Sequence, residues 1–181
     1  MSSVIIAGDT SGSITIAAPA AAGTNTITMP ASTGTMALTS DVPDNVLNTY
    51  ATFVNSTEKV TVSATAATGT INYDTNTQSV VYYTSAAVGD WTINFRASSG
   101  ATLNSVIATG ESITLVHLVT LTGAEYRNTT VQVDGSSITP EWQGGSAPTE
   151  GNINSIDSYT YTIIKTGDAA FTILAALTQF A

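Results

Sequence analysis

From Glu58 onward, apolar and polar residues alternate in short runs with a period of two, the signature of strands with one buried face. Val60, Val62 and Ala64 alternate with Thr61 and Ser63. Ile71 and Tyr73 follow a turn at Gly69, and Val80 to Tyr83 is a short apolar run after Asp74-Thr75-Asn76. Trp91, Ile93 and Phe95 alternate with Thr92, Asn94 and Arg96, the clearest half-buried strand in the chain. Glu111 to Thr120 and Phe171 to Phe180 are apolar on both faces, which predicts a central position or a subunit interface. Thr130 to Val133 leads into Asp134-Gly135, and Tyr159 to Lys165 leads into Thr166-Gly167-Asp168; both are hairpin signals. About eight strands at this spacing predict an all-β fold, an antiparallel β-sandwich of jelly-roll type over residues 58–181. An immunoglobulin-like strand order is the alternative.

The first forty residues carry a different pattern. Glycines at 12, 23 and 34 recur at a constant step, and each opens a short alternation. The inward set is Ile14, Ile16, Ile27, Met29, Met36 and Leu38. Two or three apolar side chains per strand cannot build a core, so stacked segments of this kind need neighbours. Residues 1–40 therefore read as an extended N-terminal β arm for assembly or docking, and these six residues as its interface. Residues 41–57 read as a linker or a short helix. Ser40 or Asp41 would cap the helix, and Val46, Leu47, Tyr50 and Phe53 fall at helical spacing.

Composition narrows the function. Of 181 residues, 9% are charged, well below the roughly one quarter usual in soluble domains. Hydroxyl and amide groups must solvate the surface. The net charge is −9, and Lys59, Arg96, Arg127 and Lys165 are scattered. Nucleic-acid binding needs clustered bases to displace counterions, so it is excluded as a partner class. Without cysteine there are no disulfides, cysteine–zinc sites or thiol catalysis. Val4 to Ala7 is too short for a signal segment, and no apolar run approaches about 20 residues. The expectation is synthesis in a cytoplasm, with no membrane partner.

No motif carries chemistry. His117 is the single histidine, and no G-x-S-x-G elbow supplies a nucleophile for it, so it reads as a core or interface residue. The thirteen carboxylates lie mostly in turns, and nothing in the linear order selects a glycosidase pair. Gly8-Asp9-Thr10-Ser11-Gly12 lacks the lysine of a phosphate loop and reads as a turn between strands. Asn55-Ser56-Thr57 and Asn128-Thr129-Thr130 are glycosylation sequons only in a secreted eukaryotic chain. Catalytic, cofactor and metal residues are therefore expected to be none. Gly144 to Gly151 reads as a long exposed loop, where recognition residues gather. Trp142, in Pro140-Glu141-Trp142-Gln143-Gly144-Gly145, is the candidate exposed contact; the other reading has it plug the end of the sandwich. Trp91, Tyr159 and Tyr161 alternate with polar residues and read as core.

The segments Gly8 to Pro19 and Gly23 to Pro30 resemble stretches common in fibre and virion structural proteins of tailed bacteriophages. Val133 to Gly145 and Ile156 to Lys165 look like structural proteins of marine cyanophages. The resemblance touches both ends of the chain and implies a non-enzymatic virion component, homo-oligomeric and often trimeric. It transfers no catalytic residue. The arm has no coiled-coil heptads and no long shaft, so a capsid decoration or cement protein is the first expectation. Its partners would be itself, as a homotrimer, and the major capsid protein or other virion proteins. The alternative is a tail fibre or receptor-binding protein that contacts a host-surface glycan or protein. Either way the chain would be made in the host bacterial cytoplasm and reside in the virion.

Overall fold

A computed structural model describes residues 3–7, 13–17 and 57–181. Residues 1–53 and 54–181 are two compact units. In the first, β1 (Ser3–Ala7) pairs antiparallel with β2 (Ser13–Ala17), with Ile6 opposite Ile14 and Val4 opposite Ile16. Of the arm residues predicted from sequence, Ile14 and Ile16 lie in β2; Ile27, Met29, Met36 and Leu38 lie outside the described residues, as does most of the 41–57 linker or helix.

The second unit is all-β apart from one helical turn. Its elements are β3 (Val60–Ala66), β4 (Gly69–Asp74), β5 (Val80–Ser85), β6 (Trp91–Arg96), α1 (Leu103–Val106), β7 (Ser112–Leu121), β8 (Asn128–Val133), β9 (Ser136–Ile138), β10 (Glu141–Trp142), β11 (Ser155–Gly167) and β12 (Ala170–Phe180). They form a six-stranded sheet, ordered β10-β12-β11-β7-β5-β3, and a four-stranded sheet, ordered β4-β6-β8-β9.

The antiparallel expectation needs correction. β3, β5 and β7 run parallel in one sheet, β4, β6 and β8 run parallel in the other, and β10 is parallel to β12. Successive strands from β3 to β8 alternate between the sheets, so each pair makes one coil of a three-coil roll. A parallel neighbour normally requires a long crossover. Here the crossover is itself a strand of the opposite sheet. Ala67 and Thr68 alone bridge β3 to β4, and Gly69 takes φ +59° at that corner, a value that favours glycine. Jelly-roll strands are antiparallel throughout, and these are not.

Within this unit the antiparallel strand pairs all lie from β7 onward. β8 and β9 are joined by Asp134 and Gly135 at φ 51° and 82°, a two-residue turn whose twist suits a hairpin. β11 pairs with β7 on one side and β12 on the other, which places β7 centrally. β12 is flanked on its outer side by only the two-residue β10.

Coiling stacks like residues on like. Ile71, Ile93 and Val131 form one inward ladder; Tyr73, Phe95 and Val133 form the next. The inward residues of both sheets share one core. Trp91 and Phe95 of β6 meet Tyr159 and Tyr161 of β11 edge-on, at centroid distances of 5.6 and 5.1 Å. Such pairs contribute roughly 0.5–1.5 kcal/mol each beyond their buried area. α1 escaped the sequence reading because it is a single turn. Thr102 caps it by accepting from the Ser105 amide, the Asp134 carboxylate accepts from the Leu103 and Asn104 amides, and Lys165 donates to the Asn104 and Ile107 carbonyls. Among the described residues no helix is long and apolar enough to cross a membrane.

Candidate functional site

Two features of the β3–β12 unit stand out once the side chains are placed. The first is the outer face of the six-stranded sheet. Along β11 every second residue is buried, from Ser155 to Lys165, and the residues between point outward. The outward set forms ladders: Val60, Val80 and Val116, then Val62, Tyr82 and Leu118. Ile156 stands opposite Phe180 at one end, and Leu174 opposite Thr162 further along. Val62, Phe180 and Leu174 are 65%, 57% and 47% exposed. The five long strands place no Asp, Glu, Lys or Arg on this face; the two-residue edge strand β10 places Glu141 there, opposite Leu174. Asp157 and Lys165 of β11 and His117 of β7 are all buried on the inner side.

The second feature is an open cleft of about 710 Å³ beside the 143–153 segment. Trp142 and Leu177 give it an apolar wall, and Gln143, Asn152, Glu125 and Glu150 ring it with polar groups. β10 holds Trp142 in place through pairing with Ala175, and Gln143 donates its amide to the Ala175 carbonyl at 2.8 Å. The indole is half-buried, with Tyr159 and Tyr161 at 6.4 and 6.3 Å. The structure thus places Trp142 between its two sequence-derived readings: one side packs on the aromatic core, the other borders the cleft.

Buried polar groups fix the loop. Asp157 is fully buried, and desolvation raises its carboxyl above the usual carboxylate range, against the bonds it accepts from the Asn152 amide and the Ser155 hydroxyl. Gly151 donates its amide to the Glu125 carbonyl at 3.0 Å. A Cβ at Gly151 would stand 2.3 Å from the Tyr126 carbonyl oxygen and 2.6 Å from Leu121 Cδ1, so only glycine fits.

His117 is 0% exposed, ringed by Tyr83, Trp91 and Tyr159. Neither ring nitrogen has a hydrogen-bond partner among the described residues, and desolvation lowers its pKa to about 3. It is a core histidine, with no path to a substrate. Asn128 is 4% exposed and spends its amide on the Trp91 and Thr130 carbonyls and the Tyr161 hydroxyl, so its sequon is closed to a sugar transferase. Among the described residues no three His, Cys, Asp or Glu side chains converge as a metal site.

Sequence reasoning named Trp142 and its loop but missed Glu125, Asn152, Leu177 and Gln179, which come from β12 and two separate loops. The signal available in the sequence was the glycine-rich loop that ends at Gly151, a residue the structure buries. No family model, curated protein or solved structure matches the chain.

Proposed function

We propose that this chain is a non-enzymatic structural protein of a tailed-bacteriophage virion, an exterior decoration or cement protein that assembles as a homotrimer. Residues 58–181 act as a two-layered β-sandwich head that projects outward. Residues 1–40 act as the docking arm, with Ile14, Ile16, Ile27, Met29, Met36 and Leu38 hidden against symmetry mates or the major capsid protein. The resemblance of segments at both ends of the chain to phage structural proteins supports the virion setting.

The observation that carries the assembly reading is the outer face of the six-stranded sheet, uncharged across its five long strands. Copies of a chain with net charge −9 repel one another. Contact across the five long strands takes none of their carboxylates out of water, with Glu141 of β10 left at the rim beside Leu174, and a lone buried charge would cost several kcal/mol. Five strands about 4.8 Å apart and about nine residues long cover roughly 700 Å². That is close to the ~800 Å² each partner gives to a standard interface. Threonine and serine hydroxyls between the aliphatic ladders can pair across it. The occupant is a second copy of this chain.

Light scattering on the full chain is expected to give the mass of three 18.5 kDa copies. Placing a carboxylate on the face, as Val62→Glu with Leu174→Glu, is expected to leave monomers with unchanged β circular dichroism. A wild-type monomer at micromolar concentration would sink the assembly reading. In purified particles a decoration protein is present in tens to hundreds of copies, counted by quantitative mass spectrometry. The Trp142 cleft favours a second reading, a tail fibre or receptor-binding protein, which would be present in few copies at one vertex.

A further inference from the structure

We infer that the Trp142 cleft is a binding site for a short neutral saccharide. This goes beyond the assembly reading and does not depend on where in a virion the chain sits. Four observations converge on it.

The first is shape. At about 710 Å³ the cleft falls within the roughly 300–1,000 Å³ of small-ligand sites. The second is the wall. Trp142 is braced from behind by Tyr159 and Tyr161, so the ring loses little freedom when a ligand packs on it. Leu177 extends the same apolar strip. A sugar ring offers a matching apolar C–H face.

The third observation is the polar rim. The side chains of Gln143, Asn152, Glu125 and Glu150 line the cleft and make no side-chain hydrogen bond among the described residues. Planar amides and carboxylates present two acceptors, or a donor and an acceptor, at the spacing of adjacent hydroxyls. The loop that carries Asn152 and Glu150 is pinned by the buried Asp157 and by Gly151, so the rim is set before a ligand arrives.

The fourth observation is charge. Glu125 and Glu150 are the ionisable residues lining the cleft, and no Lys, Arg or His lines it. A phosphate, a uronic acid or a sialic acid would meet two carboxylates and no base, which costs affinity. An ammonium ligand would want an aromatic cage, and the cleft has one aromatic ring. A neutral polyhydroxyl ligand satisfies the amides, the carboxylates and the indole together.

The test uses the full chain on an array of neutral and acidic oligosaccharides, followed by a fluorescence titration with the strongest neutral structure. Trp91 is buried, so the response reports Trp142. Saturable binding to at least one neutral structure is expected, with a shift in indole emission. Trp142→Phe keeps an aromatic ring against Tyr159 and Tyr161 and is expected to weaken array binding about tenfold. Gln143→Ala removes an exposed amide and is expected to weaken it about threefold to tenfold, with unchanged thermal unfolding. Three results would overturn the inference: no neutral structure bound, acidic structures or choline bound in preference, or neutral binding that both variants retain at full strength.

Discussion

The two sheets are built from the same three coils, yet their outer faces differ in kind. On the four-stranded sheet the outward residues satisfy one another. Asn94 donates to Asn72 at 2.9 Å and accepts from the Gly135 amide at 2.8 Å, Arg96 pairs with Asp74 at 2.6 Å, and Thr70, Thr92 and Thr130 stack in register. This face is a finished, polar surface. On the six-stranded sheet the outward ladders are valine on valine and leucine on tyrosine, and the charge on this face, Glu141, stands at its β10 edge. Hydrophobic alternation alone would rate both sheets as half-buried. Which residues fill the alternate positions is what separates a face whose polar groups satisfy one another from one that leaves aliphatic side chains open.

The comparison can be broken at its strong end first. Val62→Glu with Leu174→Glu adds two carboxylates among the aliphatic ladders, one beside Glu141, and self-association should weaken by about a thousandfold, roughly 4 kcal/mol, read by concentration-dependent light scattering. A second change acts between the faces, in the shared core. His117 binds a proton near its usual pKa once unfolded, but only near pH 3 when folded. The unfolded state therefore holds more protons below about pH 6.5, and stability falls as pH falls through that window. His117 by itself should contribute a loss of about 3 kcal/mol between pH 7 and pH 4, offset in part by the raised Asp157 carboxyl, and His117→Phe should remove that contribution in urea unfolding.

On the polar face the effects shrink. Asn94→Ala orphans the Gly135 amide and the Asn72 carbonyl oxygen, and should cost about 1–2 kcal/mol in urea unfolding with no change in oligomer mass. Arg96→Ala breaks a part-exposed pair, with side chains 27% and 31% exposed, and should cost under about 1 kcal/mol, less in high salt. Thr70→Glu, the counterpart of the charge insertion at Val62, should change stability by about 0.5 kcal/mol or less and leave assembly intact. If it dissociated the oligomer as the Val62 and Leu174 pair does, the two faces would not differ.

Most strands were legible because each rests on local information. The alternation at Trp91, Ile93 and Phe95 and the Asp134-Gly135 turn survive any strand order. Direction was not legible, because a two-residue corner such as Ala67-Thr68 reads like a hairpin turn, whereas here it carries the chain to the other sheet. The internal repeat was also missed. Val60 pairs with Val80 and Gly69 with Trp91 at steps of 20 and 22 residues, but the insert holding α1 stretches the next step and hides the period. The cleft was half legible. Trp142 announced itself as an aromatic in a glycine-rich loop; Glu125 and Gln179 reach it only through the fold.

Register between coils sets a length scale. Each added coil would widen both sheets by one strand width, about 4.8 Å, and would need only some twenty residues with the same alternation. Among the described strands β3 and β4 each stand at an end of their sheet, so a duplicated 60–79 segment would extend the stack there and leave Trp142 where it is. The width of this unit is thus adjustable in fixed increments, like a ruler whose divisions are single strands, with the Trp142 cleft left as it is.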